Sequence, residues 1–405
     1  MKNIITGLDI GTSKICAAIG GLSDDGAPEI RGIGVSDAKG INKGFVSSLD
    51  KLVDSISKAV KAAEDKSGLK AYNVITNISG GSVAGNLCEG AVPLSRRGRE
   101  ITKRDIEKAF EATKQISTSL DKDFLHAVPQ EYMVDDNDGV ENPHGLFGTK
   151  LKAKLYVITA LATHIQNIKR AVNYSGYEIS EIIPTVVASL AGILSAEEKK
   201  DGVIVIDVGG GITEMAIINN GILRFFDSVN VGGMDLTAHI SANLKVPFRS
   251  AEDIKRKYGN ISREDSRKVQ RAIFDVEGRH VTIETDQINS LIKERFEEIF
   301  YILKERLSGS DHFSPSMPLV ITGGGALLNG ALESFEEYFK MPVSLGRAKE
   351  IKGDPSISAN PTYSAAISLA KYGIAKCNPS SSTFRPKGFL VDSYLRIKDI
   401  LNDYF

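Results

Sequence analysis

The sequence is poor in cysteine and histidine and has no long apolar run. Its three cysteines, Cys16, Cys88 and Cys377, lie far apart and form no Cys-x-x-Cys pair, which indicates a reduced, cytosolic chain. The six histidines are dispersed, so no transition-metal site is predicted. No run approaches the ~20 apolar residues of a membrane span, and no apolar signal core precedes Asp9. We therefore expect a protein that is neither exported nor membrane-spanning.

An excess of charge of one sign is also absent. The formal net charge of the 405 residues is −1 and no Lys/Arg run is long, so no nucleic-acid partner is expected. The densest basic cluster, Arg96, Arg97 and Arg99, is typical of a solvated loop. With 42% apolar and 25% charged residues, the composition is that of an ordinary globular protein with a sizeable core.

One glycine-rich turn occurs twice. Gly-Leu-Asp-Ile-Gly-Thr-Ser occupies 7–13, Ile-Asp-Val-Gly-Gly-Gly-Ile-Thr occupies 206–213, and nearly half the chain separates Asp9 from Asp207. Apolar, β-branched runs flank both turns, which predicts two β-hairpins. The repeat indicates two related lobes with one nucleotide between them.

The residue types of these turns suit a phosphate chain. Glycines allow backbone N–H groups to approach phosphate oxygens, and hydroxyl groups add donors. Asp9 and Asp207 could hold the waters of a bound Mg²⁺. The predicted phosphate contacts are Gly11, Thr12, Ser13, Lys14, Gly209, Gly210, Gly211 and Thr213.

A third glycine-rich turn, Gly323, Gly324 and Gly325, follows a short apolar strand. Its backbone could lie against adenine and ribose, although for this element alone a tight strand-to-helix turn that needs small residues is the favoured explanation. Ser250 has capping-box spacing, so we expect a helix to start there and to present Glu252 and Lys255 on one face. That pair is either a solvated salt bridge or, beside an ATP cleft, a ribose and adenine contact.

The order of these elements resembles the actin, hexokinase and DnaK-type chaperone superfamily. The resemblance implies two connecting helices, at 185–196 and 362–372, both rich in small residues that permit a close crossing. Within the superfamily, the chain resembles the FtsA family of bacterial cell-division proteins over about 4–376. The resemblance rests on 7–16, 126–135 and 230–237, and the last segment adds Gly232 and Gly233 to the nucleotide site.

The implied fold class is α/β: an actin-like two-lobed fold of duplicated ribonuclease-H-like domains, with an inserted α+β subdomain, 1C. The first lobe, 1A, would comprise 1–82, 161–200 and 360–376. Subdomain 1C would occupy 83–160, where strand-like segments surround a helix that starts near Thr102. The second lobe would comprise 2A, at 201–230 and 301–359, and 2B, at 231–300. A linker at 377–388 would lead to an amphipathic helix at 389–405.

Apolar residues recur every three or four positions in this tail, which predicts the amphipathic helix. The pattern alone favours docking on protein over a membrane interface, and the family resemblance reverses that preference. The tail carries no net charge, so its apolar face must supply most of the attraction to lipid. The expected anchor residues are Phe389, Leu390, Tyr394, Ile397, Leu401 and Phe405.

The family implies a protein that binds ATP with Mg²⁺, polymerises, and tethers tubulin-like FtsZ to the inner face of the cytoplasmic membrane at the division site. Subdomain 2B would bind the C-terminal tail of FtsZ, and 1C would contact a neighbouring subunit and later division proteins. Lys293 and Arg295, on a helix expected from Asp286, are the predicted FtsZ contacts, although a solvated helix face explains them equally well.

Hydrolysing relatives orient water near the first connecting helix, whereas 183–189 contain no carboxylate or amide here. We therefore predict no catalytic residue and slow turnover at best, with ATP acting as a conformational and assembly ligand. Two alternatives remain open. One is a PilM-like pilus-assembly scaffold, which lacks the amphipathic tail, and the other is a sugar kinase or chaperone-type ATPase.

Overall fold

The computed structural model describes residues 2–377, except 118, 120, 263–270, 277 and 278. The predicted linker from 378 onward and the whole anchor helix at 389–405 lie outside the described residues. Within the part that is described, no helix is long and apolar enough to cross a bilayer.

Four stretches of chain build the molecule. The first contains β1 (Lys2–Ile10), β2 (Lys14–Leu22), β3 (Pro28–Asp37), β4 (Ile41–Asn42), β5 (Phe45–Val46), α1 (Leu49–Ser67) and β6 (Asn73–Ile78). The second contains β7 (Val83–Pro93), β8 (Arg99–Glu100), α2 (Lys103–Ser117), β9 (Lys122–Val134), β10 (Asn137–Val140), β11 (Phe147–Gly148) and β12 (Lys150–Leu161). The third contains α3 (Ala162–Tyr174), β13 (Glu178–Pro184), α4 (Thr185–Ile193) and α5 (Ala196–Asp201).

The fourth stretch is the longest. It contains β14 (Val203–Val208), β15 (Thr213–Asn219), β16 (Ile222–Val229), α6 (Gly233–Leu244), α7 (Phe248–Tyr258), β17 (Arg271–Val276), β18 (Arg279–Glu284), α8 (Thr285–Ser308), β19 (Leu319–Thr322), α9 (Ala331–Phe339), β20 (Val343–Leu345), α10 (Pro355–Ser358) and α11 (Ser364–Cys377). Two 3₁₀ turns, Gly324–Leu327 and Pro361–Tyr363, precede α9 and α11.

The two lobes repeat one sheet. The first has the strand order β13-β6-β1-β2-β3 and the second the matching order β20-β19-β14-β15-β16. In each, an antiparallel hairpin forms the centre, β1–β2 or β14–β15, and a parallel strand, β6 or β19, pairs with its first strand. The prediction of two related lobes, each with a glycine-rich hairpin, is confirmed.

The core of each lobe follows from strands that are covered on both faces. Four of the six residues of β14 are completely buried, Val203, Ile204, Val205 and Ile206, because helices cover both sides of the sheet. This burial explains why the run is continuously apolar rather than alternating.

The insert at β7–β12 is a separate α+β unit, as predicted. Its four-stranded sheet, in the order β10-β9-β12-β7, packs against α2 through a core that includes Phe110, Leu151 and Leu155. The helix starts beside Thr102, whose backbone N–H donates to Asp105 Oδ2 at 3.0 Å. This bond supplies one half of a capping box and agrees with the predicted helix start near Thr102.

The connecting helices cross closely, as their small residues predicted. A Cβ added to Gly192 of α4 would lie 1.8 Å from Ser368 Oγ of α11, so only glycine fits at the crossing. A Cβ on Gly7 of β1 would lie 2.2 Å from Ala366 O, which places α11 directly on the first sheet.

Several predicted boundaries were wrong. The helix predicted over 185–196 is two helices, because Ser195 and Glu198 form a capping box that starts α5. The helix predicted from Ser250 starts two residues earlier, at Phe248, after Pro247. The 2A/2B subdomain boundary at 300 stays a prediction; it lies within α8, where Phe296, Phe300 and Leu303 share one buried face. α11 extends to Cys377, which was predicted as linker.

Candidate functional site

The two glycine-rich turns meet at the junction of the lobes. A Cβ on Gly210 would lie 2.8 Å from Ser13 Cβ, and one on Gly211 would lie 2.8 Å from Thr12 Cγ2. The turns have the same internal bond, from Gly11 N to Lys14 O at 3.1 Å and from Gly209 N to Ile212 O at 2.9 Å. Gly210 and Gly211 therefore allow the two hairpins to approach one another, in addition to leaving room for a phosphate.

Asp9 and Asp207 end the first strands of these hairpins and are brought together. Asp9 is 8% exposed and accepts a hydrogen bond of 2.7 Å from Asn77 Nδ2. Burial raises the pKa of Asp9, and the Lys14 ammonium opposes that shift. Burial and the Asp9 carboxylate together raise the pKa of Asp207 to about 6. Two acidic groups that repel one another in a buried site favour a bound cation.

A third carboxyl group, Glu214, belongs to the site and was not predicted from the sequence. The hairpin register pairs Glu214 with Asp207, whereas Cys16 occupies the matching position across from Asp9. Burial, followed by the charges of Asp207 and Asp9, raises the pKa of Glu214 well above its usual range. Among the described residues, Glu214 Oε1 is buried without a hydrogen-bond partner. Glu214 could have been recognised from the sequence, because it is an acidic residue within the apolar run 212–218.

Asn77 was also missed, and it organises the first half of the site. Its Oδ1 accepts the Ile10 N–H at 2.7 Å, and its Nδ2 donates to Asp9 and, at 3.0 Å, to Thr185 Oγ1. Thr185 is the first residue of α4 and also contacts the Glu214 side chain. The run 183–189 contains no carboxylate or amide of its own. Its Thr185, however, contacts the amide of Asn77 and the carboxyl group of Glu214.

The carboxyl groups of this site suit a hydrated metal ion better than a directly bound one. In the described ranges, no group of three or more His, Cys, Asp or Glu side chains is arranged to hold one. Mg²⁺ usually keeps several waters and takes one or two carboxylates together with phosphate oxygens. Asp9, Asp207 and the unpartnered oxygen of Glu214 fit such a hydrated ion.

Two predicted phosphate contacts use their polar groups within the protein. The Lys14 ammonium donates to Thr362 O and lies 5.7 Å from the centre of the Tyr363 ring. It therefore joins the first hairpin to the turn before α11. Thr213 Oγ1 donates to Val231 O at 2.9 Å, which fixes the second hairpin to the segment before α6.

Gly323–Gly325 pack against the end of β14. Gly323 has φ 82°, and a Cβ there would lie 2.3 Å from Asp207 Oδ1. A Cβ on Gly325 would lie 2.3 Å from Val208 Cγ1, whereas one on Gly324 would meet nothing within 4 Å. This turn therefore needs small residues for packing, and its Gly324 is open to a ligand.

The predicted contacts in α6 and α7 lie against the second hairpin. A Cβ on Gly232 would lie 2.6 Å from Gly209 O, and Gly233 N donates to the same oxygen at 3.0 Å. Lys255 Nζ donates to Gly233 O at 2.8 Å and to Glu252 Oε2 at 2.7 Å. The pair is therefore half-buried at the start of α6 rather than a solvated salt bridge.

Lys293 and Arg295, the predicted partner contacts, have different surroundings on α8. Lys293 borders a cavity of about 250 Å³ between α8 and α9, together with Phe296 and Tyr338. Arg295 pairs with Glu298 on its own helix and does not border the cavity. Lys293 therefore borders the cavity and Arg295 does not, although the sequence predicted the same role for both.

The repeated sheets, the touching hairpins and the crossing helices define an actin-like, two-lobed protein. Three solved structures match this fold. They are the PilM–PilN type IV pilus biogenesis complex (TM-score 0.67, 17% identity, 91% of this chain and 98% of that chain), MreB5 of Spiroplasma citri bound to ADP (0.56, 13%, 94% and 99%) and the MamK double helical filament (0.52, 11%, 91% and 98%). At these identities the likeness shows the fold alone.

The family model for cell division protein FtsA matches 204–368, and the model for the SHS2 domain inserted in FtsA matches 80–159. The chain is 33% identical over 388 residues to FtsA of Pseudomonas aeruginosa, covering 92% of this chain and 90% of that protein. The chain therefore belongs to the FtsA family of cell division proteins. It is 33% identical over 376 residues to FtsA of Borreliella burgdorferi (92% and 91%) and 29% identical over 387 residues to FtsA of Escherichia coli K12 (92% and 90%).

Proposed function

We propose that this chain binds ATP with Mg²⁺, assembles into filaments and tethers FtsZ to the inner face of the cytoplasmic membrane at the division site. The meeting of the two glycine-rich hairpins around Asp9 and Asp207 supports the nucleotide site most directly. Family membership supports the division role. Recruitment of FtsZ to vesicles should therefore require both this chain and ATP, measured by copelleting.

The phosphate chain would lie between the two hairpins, where backbone N–H groups and the hydroxyls of Thr12 and Ser13 supply donors. Asp9 and Asp207 would hold Mg²⁺ through water, and the ion would neutralise phosphate charge. Burial raises the pKa of the Glu214 carboxyl well above its usual range, which disfavours the carboxylate form that a base for activating water needs. We therefore expect ATP binding with slow turnover. A substrate-dependent burst of ADP would instead favour a kinase or chaperone-type ATPase.

The cavity between α8 and α9 would receive the FtsZ tail. Phe296, Phe300 and Tyr338 give it an apolar floor, and Lys293 and Lys340 stand at its border, suited to an acidic peptide with apolar side chains. Glu297 and Glu337 also border it and would fix the register of the peptide.

Charge reversals at Lys293 and at Arg295 should have different effects on binding of the FtsZ tail. Lys293→Glu should weaken binding of a synthetic FtsZ tail by roughly five- to ten-fold, because it removes one attraction and adds one repulsion. Arg295→Glu is the matched control on the same helix, since Arg295 already pairs with Glu298. Equal loss in both variants, measured by fluorescence anisotropy, would contradict the cavity assignment.

The predicted anchor helix, outside the described residues, would hold the filament on the membrane. An interfacial helix buries only part of each apolar side chain, so single anchors should bind weakly and polymers strongly. Leu390→Glu with Ile397→Glu should abolish vesicle binding, and added salt should matter little because the tail charges cancel. Equal pelleting of parent and double variant would favour a docked helix or the PilM-like alternative.

The insert would contact a neighbouring subunit and later division proteins. Phe147, 74% exposed, and Leu146, 45% exposed, form an apolar patch there. Phe147→Ser should reduce filament length in electron micrographs while leaving ATP affinity unchanged. Filaments of parental length would exclude this patch from the contact.

A further inference from the structure

The short β4–β5 hairpin of the first lobe reaches across to the second lobe. Lys43, at its tip, donates from Nζ to Asn230 O at 2.7 Å and pairs with Asp235 Oδ1 at 3.0 Å. Its side chain is 38% exposed and that of Asp235 is 17% exposed, so the pair is half-buried. Lys43 has φ 44°, in the left-handed region, and Gly44 beside it has φ 84°. The tip therefore holds an unfavourable backbone conformation that directs Lys43 across the junction.

Asp235 links this contact to the second phosphate hairpin. Its other oxygen, Oδ2, accepts the Gly232 N–H at 2.9 Å and so caps α6. The next two amides of α6, Gly233 N and Met234 N, donate to Gly209 O at 3.0 Å and Gly210 O at 2.6 Å. A continuous series of polar contacts therefore runs from Lys43 to the turn that faces Ser13.

A second set of contacts supports the same approach of the lobes. Gly81 N, in the first lobe, donates to Asn230 Oδ1 at 3.2 Å. Cβ atoms on Gly44 and on Gly80 would each lie 3.2 Å from Ile212 Cδ1 of the second hairpin. The segments around 43–44 and 79–81 thus enclose Ile212 from the first-lobe side.

We propose that Lys43 is a positioning residue of the nucleotide site, and that its pair with Asp235 holds the second hairpin against the first lobe and slows the release of nucleotide. The inference rests on the proposed ATP binding. Lys43 acts through Asp235 and α6, since its side-chain hydrogen bonds within the described part of the chain go to Asn230 and Asp235. Loss of the pair should free the second lobe to open while the fold of each lobe survives.

Dissociation of a fluorescent ATP analogue, chased with excess ATP in stopped flow, tests the proposal. Lys43→Met and Asp235→Asn should each raise the dissociation rate by roughly three- to ten-fold, the range for a half-buried ion pair, with little change in the association rate. Asn at 235 keeps an oxygen for the Gly232 N–H, so the cap remains. The double variant should be no faster than either single variant, and Lys43→Arg should restore the parental rate.

The exposed pair between Lys58 and Asp54, which lies within α1 of the first lobe, provides the control, and Lys58→Met should leave the rate unchanged. Parental dissociation rates in Lys43→Met, or additive effects in the double variant, would overturn the proposal. Hydrogen exchange of nucleotide-free protein gives an independent readout: Lys43→Met should speed exchange at Gly81, Gly233 and Met234, and unchanged exchange there would also overturn it. If the parent fails to bind the analogue, the proposed ATP site is wrong, and the exchange measurement still decides the role of Lys43.

Discussion

Replacing Gly210 with alanine tests whether the two phosphate hairpins must touch. The new Cβ would lie 2.8 Å from Ser13 Cβ and 2.9 Å from Ser13 Oγ, closer than real Cβ contacts. The turns would have to separate by roughly 1 Å to restore ordinary contact. Overpacking of this kind costs about 1–3 kcal/mol. If ATP requires the closed approach, its Kd should rise about 5-fold to about 150-fold.

Calorimetric titration with ATP measures the effect, and thermal unfolding confirms that the variant folds. Gly309→Ala is the matched control, because Gly309 has φ −75° and its nearest Cβ contact is 3.5 Å away. Ser13→Gly removes both atoms that clash with the new methyl group. The double variant Ser13→Gly, Gly210→Ala should therefore bind ATP about as tightly as Ser13→Gly alone. Equal ATP affinity in Gly210→Ala and the parent would refute the reasoning.

Three further changes test the interior of the site and its supports. Because the folded pKa of Asp207, about 6, exceeds the unfolded value of 3.8, nucleotide-free stability should fall as pH rises through that window. Asp207→Asn should therefore lessen the fall in the free energy of unfolding between pH 4 and pH 7, measured with urea; part of the fall remains because the pKa values of Asp9 and Glu214 are also raised. It should stabilise the protein at neutral pH by roughly 2–3 kcal/mol while weakening ATP–Mg²⁺ binding. Lys255→Met removes the half-buried cation at Glu252 Oε2 and leaves Glu252 only its exposed pair with Arg256, so it should lower the free energy of unfolding by about 1–3 kcal/mol. Tyr156 OH donates to Phe226 O at 3.1 Å and accepts Phe226 N–H at 2.8 Å, so Tyr156→Phe should cost about 1–3 kcal/mol.

Exposed counterparts provide the controls for the last two changes. Lys58 pairs with Asp54 on the surface of α1, and Lys58→Met should change stability by no more than about 0.5 kcal/mol. Tyr174 is 67% exposed, and Tyr174→Phe should be neutral. If the buried variants lose no more stability than these controls in urea titrations, the half-buried bonds contribute less than the structure indicates. An unchanged pH profile in Asp207→Asn would contradict the raised pKa.

The hairpins and the lobe repeat could be predicted because their signals are local. Apolar runs on both sides of a glycine-rich turn specify a hairpin within a few residues. The small residues of α4 and α11 likewise indicated a close crossing, and Gly192 meets Ser368 there. Helix starts were predicted less well, because Ser250 matched a cap by spacing while Pro247 ended the preceding segment.

Contacts between distant parts of the chain could not be predicted. Asn77 meets Asp9 across 68 residues of sequence, and Lys43 meets Asp235 across 192. In each case a single polar residue carries the contact, without a periodic pattern to reveal it. Lys293 and Arg295 looked equivalent for the same reason, since the cavity beside Lys293 is formed by α9 residues far along the chain.

α11 has a mechanical consequence. It begins at the turn bound by Lys14 and ends with Lys376 paired to Glu181 of β13, and in between it lies on β1. Its 14 residues span about 20 Å as a stiff rod in the first lobe. Whatever follows Cys377 is therefore attached to the first lobe, and opening or closing of the second lobe would not displace that attachment point. On a surface, the first lobe would stay in place while the second lobe moved relative to it.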